Sequence, residues 1–400
     1  MTQTPASEPV GGPLAGLRVI DLTSNVLGPV ATQILGDMGA EVIKIEEPSG
    51  DYTRQVGPGR SPGMGSFFMT INRNKRSVVL DLKRPEARSA LMRLVATADV
   101  FVHSMRPGAA DRLGIGYAEI AAVRPDIVYG SVSGFRPGSS LENEPAFDDV
   151  IQGRSGLAAL SQMRGRPPEY MPMVIADKLC GHQFAMAVAL ALVWRQKTGE
   201  GQHVHLSMYE AMVAFNLVEH FWGAAVDMPE LGIGYPRVMS PHRRPYATQD
   251  GHICVMANTD AQWQRMFVAM DRPDLSGDPR FASARDRARH IDTLYAIVAD
   301  RIQARSTAEW ERRLRDADIP HGPVHDFAAV LADPYLAETG FFQRMEHPTE
   351  GPVVMTGFSS SFSKSPPAIR APAPRMGADT AAVLAGIGLS EAEIRQLSDE

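Results

Sequence analysis

Short β-rich runs alternate with helical segments through the first half of the chain, and this alternation constrains the fold more than any other feature. LRVIDL (residues 17–22) is followed by a segment containing Pro29 and then by EVIKIE (residues 41–46). Proline suits the first turn of a helix because its φ is fixed near the helical value and its missing N–H is not needed there. The order strand–helix–strand predicts parallel pairing with a right-handed crossover.

The alternation continues towards the middle of the chain. The pattern predicts further strands over residues 77–82, 100–103, 126–132 and 203–208, with helices over 85–98, 117–123, 184–194 and 209–221. Strands that alternate with helices indicate a doubly wound α/β sheet. A Gly/Pro-rich stretch over residues 223–245 predicts a domain boundary. Residues 246–330 then have the pattern of a smaller α+β unit, and residues 380–397 are predicted to be helical.

Composition excludes several classes of protein. The chain has 400 residues, enough for two or three domains, and a net charge of -6, which argues against nucleic acid as its main partner. The longest apolar run, residues 184–194, is shorter than the ~20 residues that span a bilayer, so no membrane partner is expected. The first residues lack the basic start and apolar core of a secretory signal. With Cys180 and Cys254 as the only cysteines, we expect a reduced, cytoplasmic setting.

Several common chemistries do not fit the motifs. The turn TSNVLGP (residues 23–29) lacks the G-x-G-x-x-G of dinucleotide-binding sheets. Ser133 is displaced from the position that a G-x-S-x-G nucleophile requires. His203 and His205 share one face of a predicted strand but have no further ligands at metal spacing, so no metal site is expected. Basic residues cluster near residues 73–88 and 106–112, where a phosphate-rich ligand and a solvated rim are equally compatible with the charges.

Six motifs extend over nearly the whole chain in a fixed order: LRVIDLTSNVLGP, GDMGAEVIKIEEPSGDYTR, NRNKRSVVLDLKRPEAR, RPGAADRLGIGY, TGEGQHVHLSM and RMGADTAAVLAGIGLSEAEI. Their order resembles that of the family III CoA-transferases, the group that contains formyl-CoA transferase and α-methylacyl-CoA racemase. The resemblance implies a Rossmann-like large domain formed by both ends of the chain, a small α+β middle domain, and two chains interlocked like rings in a homodimer. The implied ranges are 1–222 for the first part of the large domain, 223–330 for the small domain and 331–400 for the returning segment.

The family nucleophile is an aspartate in a segment resembling D-x-x-T-G. In this chain the matching segment is IADKLCG, which places the nucleophile at Asp177, with Cys180 at the threonine position and Gly181 retained. A carboxylate can form an anhydride with an acyl group and release it again, as transfer between a thioester and an acid requires. With a reference pKa of ~3.9, we expect Asp177 to be ionised at neutral pH. An aspartate before a buried helix also fits an N-terminal cap, and the resemblance favours catalysis.

The resemblance also implies contacts to CoA. CoA serves there as the acyl-CoA substrate, so no tightly bound cofactor and no metal are expected, and the partners are acyl-CoA, a carboxylic acid and a second copy of the chain. Backbone amides around Gly153–Gly156 or near Gly181 are expected to stabilise the oxyanions. The residues at the family's CoA-binding positions are Asn25, Val26, Leu27, Leu80, Lys83, Ser104, Met105, Arg112 and Met208. Lys83 and Arg112 are the cations among them, suited to phosphates.

Three functions remain open at this point. Racemases of the family resemble G-H-D-x-x-Y before the aspartate, whereas this chain has Phe147 at the histidine position. Phenylalanine cannot carry a proton, so CoA transfer is favoured over racemisation or isomerisation at the α-carbon. A non-catalytic CoA-binding protein is the third alternative. Arg243 and Arg244 fit either a second carboxylate of a dicarboxylic acid or an exposed loop pair.

Overall fold

The computed structural model of the chain describes residues 11–398. Within them the chain forms two compact units. Unit 1 contains residues 11–155, Tyr170–Phe215 and 339–398, and unit 2 contains Gly156–Glu169 and Asn216–Glu338. The domain ranges predicted from the sequence stay a prediction.

The strands and helices follow one another along both units. The strands are β1 Arg18–Leu22, β2 Glu41–Glu46, β3 Lys75–Val79, β4 Val100–His103, β5 Val128–Ser133, β6 Gln202–Ser207, β7 Tyr246–Ala247, β8 His252–Val255, β9 His321–Pro323, β10 Phe342–His347 and β11 Gly351–Thr356. The helices are α1 Leu27–Asp37, α2 Ser66–Ile71, α3 Pro85–Val95, α4 Ala109–Arg112, α5 Tyr117–Val123, α6 Asp148–Arg154, α7 Ile175–Thr198, α8 Met208–His220, α9 Pro236–Met239, α10 Asp260–Ala269, α11 Ala284–Arg289, α12 Ile291–Ile302, α13 Thr307–Asp316, α14 Phe327–Leu331, α15 Pro334–Glu338, α16 Thr380–Gly386 and α17 Glu391–Ser398.

Unit 1 is built on a six-stranded sheet with the order β3-β2-β1-β4-β5-β6. Every neighbouring pair is parallel, and Ile20 of the central strand β1 lies between Ile43 of β2 and Phe101 of β4. This is the strand order of a doubly wound sheet, in which ligands bind at the carboxyl ends of the strands where the order reverses. The structure confirms the predicted α/β class with a parallel central sheet.

Helix α7 packs against α1 within unit 1. At Gly181 an added Cβ would lie 2.7 Å from the carbonyl oxygen of Leu27, so only glycine permits the observed approach of the two helices. Phe184 and Val188 are buried along the same helix. In residues 11–398, α7 is the one helix whose length and composition would suit a membrane span, and a core helix passes the same test.

The C-terminal segment of unit 1 returns to the edge of the sheet. The Asp379 carboxylate accepts a 2.9 Å hydrogen bond from the backbone N–H of Ser77 on β3. Leu384 of α16 and Leu389 join Leu91 and Leu94 of α3 in one buried cluster. An exposed row of N–H groups on an edge strand invites unwanted pairing, and the returning segment covers part of it.

Unit 2 has its own core around a small antiparallel sheet with the order β7-β8-β9. Phe267 of α10, Leu294 of α12 and Trp310 of α13 are fully buried together in it. Helix α10 begins with a capping box, in which the Thr259 side chain accepts from the backbone N–H of Gln262 and the Gln262 side chain accepts in return.

Three predicted boundaries are wrong. Strand β3 covers Lys75–Val79 rather than residues 77–82, because the charged side chain of Lys75 is buried in the sheet by its pairing with Asp21. Helix α7 begins nine residues before the predicted residue 184, at Ile175. The predicted C-terminal helix is two helices, interrupted where Gly388 adopts a φ of 80°.

Candidate active site

A cavity of about 370 Å³ opens at the carboxyl ends of four neighbouring strands of unit 1. Its walls come from the segments that follow β1, β2, β3 and β4, which is where parallel α/β sheets bind ligands. The side chains on its walls include Ser24, Asn25, Lys44, Glu46, Asp51, Leu80, Lys83, Ser104 and Met105. We call it the sheet-edge cavity.

A second cavity of about 230 Å³ adjoins the first and also lies within unit 1. The two share the walls formed by Ser24, Asn25, Ser104 and Met105. The second cavity adds Val26, Leu27, Ser133, Phe147, Asp177 and Met208. We call it the carboxylate cavity, because Asp177 stands on its wall.

The structure places nearly all the residues predicted for the site on the walls of these two cavities. Arg112 is the exception: it is exposed on α4 and lines neither cavity, although the next residue, Leu113, lines the sheet-edge cavity. The placement says where the side chains lie, and their roles stay predictions. Residues on the walls as predicted are Asn25, Val26, Leu27, Leu80, Lys83, Ser104, Met105, Asp177 and Met208.

The turn after β1 is held in place by polar contacts. The backbone N–H of Ser24 donates to the Ser104 hydroxyl at 3.0 Å, and the N–H of Asn25 donates to the Asp51 carboxylate at 3.3 Å. Asn25 adopts a φ of 65°, a left-handed conformation that asparagine tolerates better than most residues. The shared wall of the two cavities is therefore a fixed turn.

Buried ion pairs lie beneath that turn. The Lys44 ammonium donates to the carbonyl of Thr23 at 2.8 Å and to the Asp51 carboxylate at 3.0 Å, and both charged side chains are 1% exposed. Burial opposes the ionisation of Asp51, but Lys44 and the hydrogen bonds from Thr53 together outweigh it and hold the pKa of Asp51 below its usual value. A buried ion pair, shielded from water, therefore holds the turn in position.

Sequence reasoning missed this network. Lys44 stands in EVIKIE between two apolar residues, and the sequence analysis assigned it no role. Next to it, Lys75 pairs with Asp21 at 3.2 Å, and both are fully buried. Burial lowers the pKa of Lys75 to about 8. A lysine inside an otherwise apolar strand is the signal that would have indicated a buried acid nearby.

Asp177 lies in the first turn of α7, three residues after the N-cap Val174. It does not cap the helix with its side chain, because no side-chain cap bond is present at that end. Its backbone N–H instead donates to the carboxylate of Asp148 at 3.0 Å. The cap role considered from the sequence therefore does not apply, and the Asp177 carboxylate is left to face the cavity.

Burial and the neighbouring Asp148 carboxylate raise the pKa of Asp177 to about 7. Both causes disfavour the charged form, since one removes water and the other adds a like charge. The expectation of a fully ionised Asp177 at neutral pH is wrong, because a group with this pKa is about half protonated at pH 7. Perturbed carboxyl groups of this kind occur where acids do chemistry.

Asp148 is the residue that sequence reasoning overlooked in this cavity. It is buried at the first position of α6, and its carboxylate accepts a 2.6 Å hydrogen bond from the Gln152 side chain. Gln152 is itself held by the backbone N–H of Met171, which donates to it at 2.9 Å. Phe147, the residue at the histidine position of the racemases, is 65% exposed on the cavity wall, and the aspartate that follows it in AFDDV was the available signal.

One expectation about a neighbouring group changes with the structure. Gly181 lies inside α7, where its N–H serves the helix, so it packs two helices together rather than supplying an oxyanion amide. Cys180 is buried, and burial, Asp177 and Asp148 raise the pKa of its thiol to about 12. A thiol in that state is not a nucleophile at neutral pH.

His203 and His205 on β6 both contact the hydroxyl of Ser131, at 2.7 and 2.9 Å. Burial lowers the pKa of His205 to about 4, so its ring is neutral at pH 7. Across residues 11–398, no group of three or more His, Cys, Asp or Glu residues is arranged to hold a metal ion.

Comparison with known proteins places this geometry in a family. A family model described as CoA-transferase family III matches residues 14–380. The probable fatty acyl-CoA transferase Rv3272 of Mycobacterium tuberculosis is 32% identical, over 84% of this chain and 88% of that protein. The acetyl-CoA:oxalate CoA-transferase of Acetobacter aceti is 35% identical, over 84% of this chain and 87% of that protein. A crystal structure of an Asp-to-Ala mutant of Rv3272 superposes with a TM-score of 0.80, at 28% identity, covering 93% of this chain and 98% of that one.

Proposed function

The chain belongs to CoA-transferase family III and is a CoA-transferase, and from this premise we propose that Asp177 carries the reaction through covalent intermediates. The observation behind the proposal is the carboxylate cavity, in which the partly buried Asp177, with its raised pKa, stands beside a larger cavity at the sheet edge. The acyl donor is a CoA thioester and the acceptor is a free carboxylic acid.

The sheet-edge cavity is proposed to hold the CoA portion of the thioester. Asn25 and Leu80 form its wall, and Lys83 supplies a cation for a phosphate at its exposed rim. Arg112 stays in the proposal as a phosphate contact on the exposed surface of α4. Binding energy from this remote portion is what positions the thioester against a weak nucleophile.

The proposed cycle has two halves. The ionised Asp177 carboxylate attacks the thioester carbonyl, forming an aspartyl-acyl anhydride and expelling CoA thiolate. The thiolate then attacks the aspartyl carbonyl of the anhydride, which gives an aspartyl-CoA thioester and releases the donor acid. The acceptor carboxylate attacks this thioester, forming a second anhydride and again expelling thiolate. Attack of that thiolate on the acceptor carbonyl yields the new acyl-CoA and restores Asp177.

The raised pKa of Asp177 fits this role. A carboxylate in a poorly hydrated site is a stronger base and a better nucleophile than one in water, once it is ionised. The cost is that about half of the population at pH 7 carries a proton on Asp177. The Asp148 carboxylate increases this protonated fraction. It also accepts a hydrogen bond from the Asp177 N–H, which fixes the start of α7.

We also propose that the chain acts as an interlocked, ring-like homodimer. Apolar side chains on one face of α7 are exposed in the single chain: Met186 is 59% exposed, Leu190 62% and Trp194 49%. Their spacing of four residues puts them on the same side of the helix, and a contiguous exposed apolar stripe is typical of an interaction surface. A molar mass from light scattering that equals one chain at micromolar concentration would contradict the dimer.

Intact-protein mass spectrometry tests the covalent role of Asp177. The chain is incubated with acetyl-CoA and with a long-chain acyl-CoA, each with and without oxalate or another acceptor acid. We expect an adduct that hydroxylamine removes in the native chain and none in Asp177→Ala. Asp149→Ala, which removes an exposed carboxylate at the next position after Asp148, is the matched control and retains the adduct.

The same experiment separates transfer from isomerisation. If no adduct forms with any thioester, and the α-proton of the acyl group instead exchanges with deuterated water, then Asp177 acts as an acid–base group and the proposed cycle is wrong. CoA binding without turnover or adduct would contradict both forms of chemistry.

A further inference from the structure

Unit 2 contains a cavity of about 580 Å³ whose wall residues are all different from those of the sheet-edge and carboxylate cavities. A volume of this size holds a ligand as large as a nucleotide. Its walls combine aromatic rings with guanidinium groups, and all of them belong to unit 2. The rings and guanidinium groups on the walls include Trp222, Tyr235, Arg237, Arg285, Arg289 and Tyr295. We call it the arginine–aromatic cavity.

The aromatic side of this cavity is a flat, preformed surface. Trp222 and Tyr235 stack with ring centroids 5.2 Å apart and an interplanar angle of 19°. Trp222 is nevertheless 42% exposed, so one face of the stack is free to meet a planar ligand. Its φ of 41° is a left-handed conformation that costs energy for a tryptophan, and such strain is concentrated at ligand sites.

Four arginines line the cavity, and three of them have no carboxylate partner among the described residues. Arg285 and Arg289 lie four residues apart on α11 and line the same cavity, so two like charges face one space. Arg237 donates from Nε to the Tyr295 hydroxyl at 2.8 Å. Within residues 11–398, the salt bridges of unit 2 include none of these three side chains. By contrast, Arg287 pairs with Asp260 and serves the structure.

A neighbouring cavity of about 510 Å³ extends the positive region. It shares Arg237 and Tyr295 with the arginine–aromatic cavity and adds Arg243 and Arg244. Those two arginines also have no ion pair in the part of the chain that the structure describes. The like charges repel one another until an anion neutralises them, and the number of guanidinium groups exceeds what a single carboxylate would engage.

We propose that the arginine–aromatic cavity binds a nucleoside polyphosphate. The base stacks on the Trp222–Tyr235 pair, which is how aromatic side chains hold nucleobases, and the phosphates accept paired N–H bonds from Arg237, Arg285 and Arg289. Arg243 and Arg244 receive a phosphate chain that extends past Arg237. A free nucleotide and the nucleotide half of CoA share this chemistry. The site does not depend on the proposed role of Asp177.

Calorimetric titration of the full chain with ATP tests the proposal. A Lys83→Gln background weakens phosphate binding at the sheet-edge cavity, so that the signal reports on unit 2. We expect one ATP per chain. Arg285→Gln with Arg289→Gln, and separately Trp222→Leu, weaken binding by about tenfold or more, because each removes a charge-assisted or a stacking contact.

Arg315→Gln is the matched control. Arg315 is an exposed arginine of α13, has no ion pair in the described residues and lines neither cavity, so its loss leaves ATP binding unchanged. CoA binding in the Lys83→Gln background that Arg285→Gln with Arg289→Gln weakens, as it weakens ATP binding, identifies the nucleotide half of CoA as a ligand of unit 2, and weakening of ATP binding alone identifies a free nucleotide. Either supports the site.

Three results would overturn it. The first is the absence of saturable ATP binding up to millimolar concentration. The second is equal affinity in the Arg285/Arg289 and Arg315 variants, or loss of binding only with Lys83→Gln, which would place the nucleotide elsewhere. The third is inorganic pyrophosphate binding as tightly as ATP, which would show that the aromatic pair contributes nothing.

Discussion

The backbone N–H of Asp177 donates a 3.0 Å hydrogen bond to the carboxylate of Asp148, and this contact joins the start of α7 to the start of α6. The same contact brings a second negative charge close to the Asp177 carboxyl group. Together with burial, it raises the pKa of Asp177 to about 7. The arrangement of two acids in one poorly hydrated site is a recurrent way of setting a carboxyl group near neutral pH.

The activity is expected to rise with pH through a midpoint near 7, because only ionised Asp177 attacks the thioester. In Asp148→Asn that midpoint moves to lower pH, since a like charge is removed while the amide oxygen still accepts from the Asp177 N–H. The measurement is kcat/KM for the acyl-CoA from pH 5 to 9. An unshifted midpoint in a folded Asp148→Asn chain would contradict the electrostatic coupling.

Asp177→Asn is expected to be more stable than the native chain at high pH. The pKa is about 7 in the folded state against 3.8 for the free group, so the folded state binds more protons between about pH 4 and 7, and its stability falls as pH rises through that interval. At pH 8 the free energy of unfolding of the variant exceeds that of the native chain by roughly 1–3 kcal/mol. The range is lower than the full pKa difference implies, because Asp177 is partly exposed. Urea unfolding should show the gain shrinking towards pH 4.5. A gain that does not depend on pH would argue against a raised pKa.

Lys44→Met is expected to lower stability by about 3–5 kcal/mol, because it leaves the buried Asp51 carboxylate without its partner. The turn that carries Asn25 also loses the hydrogen bond from the Lys44 ammonium to the Thr23 carbonyl, so KM for acyl-CoA rises. Lys83→Met is the comparison: its side chain is exposed, so KM rises while the urea midpoint stays unchanged. Equal urea midpoints for the two variants would mean that Lys44 has no structural role.

Gly181→Ala is expected to cost about 1–3 kcal/mol, because the new Cβ would meet the Leu27 carbonyl oxygen at 2.7 Å and push α1 from α7. Gly386→Ala is the control. It also adds a methyl group within a helix of unit 1 but meets nothing within 4 Å, so it stabilises by about 0.5–1 kcal/mol. Thermal unfolding of the two variants checks the difference. A stabilised Gly181→Ala would show that the close approach is not required.

Much of unit 1 could be predicted because its strands and helices obey local rules. EVIKIE matches β2 residue for residue, and Pro29 lies in the first turn of α1 as expected. The motif order led to the family, and the positions carried over from it fall on the walls of the two cavities, apart from Arg112.

The features that could not be predicted depend on contacts between distant residues. Lys75 begins a strand because Asp21, far away in the sequence, pairs with it inside the sheet. The first residues of α7 are partly polar, so the sequence did not predict that the helix begins there. Its first turn is held by the hydrogen bond from the backbone N–H of Asp177 to Asp148. The raised pKa of Asp177 results from that packing, and composition around Asp177 alone could not indicate it.

The most direct test of the proposed chemistry follows oxygen atoms. The chain is allowed to turn over with an acyl-CoA donor and an acceptor acid whose carboxylate carries ¹⁸O, and the peptide containing Asp177 is then analysed by mass spectrometry. Because the second anhydride is resolved at the acceptor carbonyl, Asp177 gains one oxygen from the acceptor in each cycle, so the account predicts one ¹⁸O in that peptide after a single turnover and up to two after further turnovers. CoA transfer that proceeds with no ¹⁸O in the Asp177 peptide would contradict it.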